Sequence, residues 1–126
     1  LWSKGMEEML YLFRKLNHLP HETEVDIHQM RVITLPNHTA EVSPEGAHQD
    51  GYDCIAMFGI SRHNISGGEL LVSDSEMGEP FMTVPINEGT GVFLNDQVLW
   101  HNASSLEAVE KSRYGYMDAF ILTANK

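Results

Sequence analysis

Met6, Met9, Leu10, Phe13 and Leu16 recur at spacings of three and four residues, with Glu7, Glu8, Arg14 and Lys15 between them. That stripe predicts one amphipathic helix over about 3–17, closed by residues 17–20, because proline lacks an N–H and disfavours helical geometry in the residue before it. From Val25 onward the period changes. Short runs of Val, Ile, Thr, Phe and Leu are punctuated by Gly, Pro, Asn and Asp, the pattern of strands and turns. Seven strands are expected, at about 25–35, 52–61, 68–73, 80–84, 90–94, 97–102 and 113–123, with residues 102–112 as a long open loop. This density of short strands predicts a mainly β fold, a double-stranded β-helix (jelly roll, cupin-like) over about 25–123. The N-terminal helix is expected to cover one of its sheets.

Length and charge narrow the function classes. The chain has 126 residues, 42% of them hydrophobic, which suits a single domain over 1–126. Eighteen acidic against eight basic side chains give a formal net charge of −10, so phosphate backbones and anionic membrane surfaces would be repelled. Neither nucleic acid nor a membrane is expected as a partner. No apolar run approaches the roughly 20 residues a spanning helix needs, and no secretion signal is apparent. Cys54, the one cysteine, lies in the apolar run Cys54-Ile55-Ala56-Met57-Phe58 and reads as a core residue, consistent with a cytoplasmic setting. The sequons at Asn37, Asn64 and Asn102 read as polar loop composition.

The candidate chemistry lies among the seven histidines. His48 and Asp50 are two apart, so on a locally extended backbone they point to one face and can grip a single metal ion, with Gly46 and Gly51 allowing sharp turns on either side. His101 follows the apolar run Gln97-Val98-Leu99-Trp100, where a strand meets a cavity rim. Two histidines and one carboxylate on one face form the facial triad of non-haem Fe(II) oxygenases. A hydrogen-bonding role for His101 in its loop is the simpler alternative. His18, His21, His28, His38 and His63 have no such pairing. A cupin-like protein holding another divalent metal for a different reaction, and a barrel that only binds a small ligand, both remain compatible with these residues.

Four segments taken together are more specific. Pro44-Glu45-Gly46-Ala47-His48-Gln49-Asp50-Gly51, then Asn64-Ile65-Ser66-Gly67-Gly68-Glu69, then Asp96-Gln97-Val98-Leu99-Trp100-His101, then Gly115-Tyr116-Met117-Asp118 resemble, in order and spacing, the bacterial 2-oxoglutarate/Fe(II)-dependent dioxygenases that include free L-isoleucine hydroxylases. The resemblance runs from about residue 25 to 123. It implies His48, Asp50 and His101 as iron ligands and catalytic set, Fe(II) as cofactor, and 2-oxoglutarate and O2 as co-substrates. The implied reaction hydroxylates an aliphatic C–H of a small molecule, with a free amino acid as the expected substrate, as 2-oxoglutarate becomes succinate and CO2. Glu45, Asp53 and Asn64 are then candidates for substrate contacts, and Trp100 for a wall of the site. Family members generally carry Arg where this chain has Met117, so the cation for the 5-carboxylate of 2-oxoglutarate must come from elsewhere. Arg113, four residues earlier, is the first candidate and Arg31, on the facing strand, the second.

Overall fold

The computed structural model describes residues 4–126; the expected helix start at Ser3 lies outside them. Helix α1 (Lys4–Leu16) precedes strands β1 (Asp26–Thr34), β2 (Thr39–Ala40), β3 (Cys54–His63), β4 (Ile65–Gly67), β5 (Leu70–Ser73), β6 (Met82–Val84), β7 (Gly91–Leu94), β8 (Trp100–Ala103), β9 (Leu106–Ala108) and β10 (Gly115–Ala124). All pair antiparallel, as a four-stranded sheet β1-β10-β3-β7 and two three-stranded sheets, β2-β9-β4 and β6-β5-β8. The fold is a mainly β, cupin-like jelly roll, as the strand pattern predicts.

The large sheet is covered on both faces, which explains why β3 is apolar almost throughout rather than alternating. On its outer face Ala56, Phe58, Leu122 and Ala124 pack under Phe13 of α1. On its inner face Ile55, Met57 and Ile121 meet Leu70 and Val72 of β5. Side chains alternate along β10, so Met117, Ala119 and Ile121 face the interior while Phe120 and Leu122 face the helix. The β3–β10 ladder breaks this regularity once. Ala119 pairs with Gly59 but Asp118 pairs with Ser61, so β3 carries one extra residue, Ile60, as a bulge.

Three differences from the sequence expectation have local causes. Residues 97–99 are not strand: the Asn95 carbonyl accepts from the N–H groups of Val98 and Leu99, and its side chain accepts from Gln97, so the chain turns before β8 begins at Trp100. The expected open loop at 102–112 holds β9. The sheet β2-β9-β4 was not anticipated, because strands of two or three residues are too short to show a period.

Candidate metal centre

β8 brings the distal histidine into place. One of its edges pairs with β5, Val72 opposite His101. On the other edge His101 makes a two-bond bridge with His48, each N–H donating to the other's carbonyl at 2.9 and 3.0 Å. This bridge joins segments 53 residues apart in the chain and sets the imidazole centroids 4.2 Å apart. Gly46 (φ +78°) and Gly51 (φ +85°) take the left-handed backbone that bends the segment on either side. Asp50 then sits between the rings, its Oδ1 3.4 Å from His48 Nε2 and its Oδ2 3.2 Å from His101 Nε2. One donor atom from each of the three residues lies within 4.8 Å of the others, the one such group among the described residues.

Both histidines aim the same nitrogen at Asp50, and their surroundings explain why. His48 Nδ1 is 2.8 Å from the Gly46 carbonyl, which can only accept, so Nδ1 is the donor of that bond and Nε2 is the nitrogen turned toward Asp50. His101 Nδ1 faces Oδ1 of Asp96 at 3.4 Å, and both atoms are buried with no hydrogen-bond partner. The other oxygen of Asp96 accepts the backbone N–H groups of Asp50, Gly51 and Tyr52 at 2.8, 2.7 and 3.3 Å. A single carboxylate, 1% exposed, therefore fixes the segment carrying Asp50 and turns the ring of His101. Burial, followed by the neighbouring His48, pushes the His101 pKa below its ordinary 6.5 against the opposing pull of Asp50 and Asp96, which favours the neutral, ligating imidazole. Asp96 opens the segment that ends at His101, but the sequence gives it no role of its own, since an Asn-Asp pair before an apolar run reads as turn chemistry.

The family model described as 2OG-Fe dioxygenase matches residues 1–123. The chain belongs to this family. No curated protein sequence matches it. Among solved structures, a BsmA homolog from Methylobium petroleophilum PM1 is similar at 27% identity and a TM-score of 0.71, over 94% of this chain and 47% of that one. IDO from Bacillus thuringiensis shares the fold at 15% identity and a TM-score of 0.81, over 95% and 59% of the two chains. TqaL, an Fe(II)/(alpha)ketoglutarate-dependent dioxygenase, shares it at 15% identity and a TM-score of 0.70, over 95% and 52%. The chain thus spans about half the length of these relatives. As a 2OG-Fe dioxygenase family member it carries a donor set that fits: two imidazole nitrogens and a carboxylate suit Fe(II), and the buried carboxylate behind His101 is the outer partner such ligands need.

A cavity of about 260 Å3 adjoins the three residues, walled by His48, Asp50, His101, Ile55, Met57 and Ile121. A narrow apolar extension of about 50 Å3 continues from it to Gly68, Met117 and Ala119. Glu45 lies on the rim, its Oε1 3.3 Å from His48 Nε2. The remaining candidates lie elsewhere. Arg113 is in the turn before β10, exposed and paired with Glu110 at 3.5 Å, rather than on the strand with Met117. Arg31 stands on the outer face, in a two-pronged pair with Asp118 at 2.6 and 2.8 Å and over the ring of Tyr116. Asn64 closes the β3–β4 turn with φ +51°, its side chain bonded to the backbone of Glu110, Arg113 and Tyr114. The Asp53 carboxylate accepts from the Gln97 side chain and the Lys126 N–H, while its own N–H donates to Asn125 Oδ1 at the chain end. Trp100 precedes His101 on β8, so it projects away from the cavity.

Proposed function

We propose that this chain carries the active centre of an Fe(II)/2-oxoglutarate-dependent dioxygenase that hydroxylates an aliphatic C–H of a small molecule, with a free amino acid as the substrate class. The observation that carries the reading is the convergence of His48 Nε2, Asp50 and His101 Nε2 on one cavity, with His48 Nδ1 bonded to the Gly46 carbonyl and His101 Nδ1 facing the Asp96 carboxylate. His48, Asp50 and His101 would hold Fe(II), which supplies the oxidising chemistry with O2 and 2-oxoglutarate. The protein's own part is geometric. Three ligands on one side leave the cavity side open for co-substrate and O2, and the apolar walls from Ile55, Met57, Leu70 and Ile121 keep water from the reacting carbon. Glu45 on the rim offers a carboxylate to a substrate ammonium. A lone buried thiol, Cys54, and a ferrous centre both suit the reducing cytoplasm.

The test is a screen of free amino acids with the Fe(II)-loaded protein, scoring succinate release together with a product heavier by one oxygen. Coupled formation of both, lost in His101→Ala, is the expected result. Iron and 2-oxoglutarate binding without a hydroxylated product from any amino acid would remove the amino-acid assignment, and coupled turnover unaffected by His101→Ala would remove the centre.

A further inference from the structure

We infer that Arg62 anchors the distal carboxylate of 2-oxoglutarate at the closed end of the apolar extension, an inference that rests on the functional reading above. Regular alternation along β3 would put position 62 on the outer face with Cys54, Ala56 and Phe58. The bulge at Ile60 reverses this. Beyond it Arg62 pairs across the ladder with Met117, which is 3% exposed and faces the interior, so the Arg62 side chain starts from the same inward face as Met117. There its Nη2 donates to the carbonyl of Gly67 at 2.8 Å, while Nη1 is buried with no partner. A buried guanidinium nitrogen without an acceptor is costly, and an incoming carboxylate satisfies it.

The other cations are placed elsewhere. Of the eight Lys and Arg residues, three lie on α1, outside the large sheet. Arg31 is held by Asp118 on the outer face, and Lys111 and Arg113 form exposed pairs with Glu107 and Glu110. Lys126 lines a separate cavity at the chain terminus. Arg62 is the one that shares an inward face with the extension.

The chemistry of the ligand matches this axis. 2-Oxoglutarate has a chelating head, two methylenes and a second carboxylate. The triad stands at one end of the cavity, Met57 and Ile121 line its middle, and Met117 and Gly68 close the other end. Ile121 and Met117 are four residues apart, about 13 Å of strand. The methylenes lie on apolar walls, and Met117, an unbranched thioether against Gly68, can shift to let the carboxylate reach Nη1.

The experiment is anaerobic titration of the Fe(II)-loaded protein with 2-oxoglutarate and with 2-oxopentanoate, which has the same chelating head and chain length but a methyl in place of the second carboxylate. The readout is the visible absorption of the chelate, not turnover. Wild type should prefer 2-oxoglutarate by about 100-fold or more, the scale of one buried charge pair. Arg62→Met should bind the two acids alike while retaining 2-oxopentanoate affinity. The exchange Arg62→Met with Met117→Arg, which moves the cation one strand across on the same face, should restore the preference and guards against a folding defect in the single variant. An unchanged preference in Arg62→Met, or its loss in Arg113→Met or Arg31→Met instead, overturns the assignment and leaves the iron site standing. No chelate absorption with either acid in wild type overturns the 2-oxoglutarate reading and Arg62 with it.

Discussion

Asp96→Asn separates holding the metal segment from tuning its histidine. In the wild type Oδ2 of Asp96 accepts three backbone N–H groups, and Oδ1 faces His101 Nδ1. An asparagine must keep its oxygen on the three N–H donors, since turning its amide toward them would set donor against donor. Its NH2 then faces His101 Nδ1, which must become the acceptor, and the ring proton moves to Nε2. That nitrogen is the one aimed at Asp50, so the lone pair needed for a metal is lost unless the amide or the ring turns away. Loss of an outer partner of this kind weakens metal affinity by about 10- to 100-fold, roughly 1.4–2.8 kcal/mol. Asp96→Ala differs, because it strands the three N–H groups and should cost about 3 kcal/mol or more of folding stability. Anaerobic Fe(II) titration and urea unfolding of both variants check the pair. The reasoning fails if the asparagine variant binds Fe(II) like wild type, or if its metal loss merely tracks a loss of stability equal to that of the alanine variant.

Four further outcomes are expected. Gly59→Ala should destabilise the fold by about 1–3 kcal/mol in urea unfolding, because its new methyl would collide with the Asn87 carbonyl oxygen. Phe13→Ala should cost about 3–5 kcal/mol and loosen α1 from the sheet, seen as lost amide protection in the helix, since this ring is fully buried against β3 and β10. His101, with its pKa below 6.5 when folded, stays neutral while its unfolded counterpart takes up a proton. Its contribution is therefore complete above the unfolded value and is lost as pH falls through 6.5 toward the folded pKa, and a His101→Gln variant should show a shallower fall in urea midpoint over that window. Arg31→Met should let the Asp118 carboxyl, held below its ordinary 3.8 by the Arg31 hydrogen bond, rise toward that value in an NMR titration, with Fe(II) affinity unchanged.

Much of this architecture was legible because it rests on period. The helix stripe, the long strands β1, β3 and β10 and the His48-x-Asp50 pair all follow from where side chains point along a regular backbone. What escaped rests on departures from regularity. The bulge at Ile60 reverses the facing of Arg62, a turn at Asn95 shortens β8, and the sheet β2-β9-β4 is held by ladders too brief to leave a pattern. A strand running from 113 would align Arg113 with Met117, whereas the backbone turns before β10 and pairs that side chain with Glu110. Asn64 and Asp53 were near the motif in sequence, but their side chains are consumed by backbone bonds that no local signal announces.

The centre itself is tested most directly by anaerobic titration of Fe(II) into wild type and into His48→Ala, Asp50→Ala and His101→Ala, followed by equilibrium dialysis and metal analysis. Wild type should bind one equivalent, and each variant should lose that binding while unfolding cooperatively in urea. Equal binding by wild type and any two of the variants would place the metal elsewhere and contradict the account.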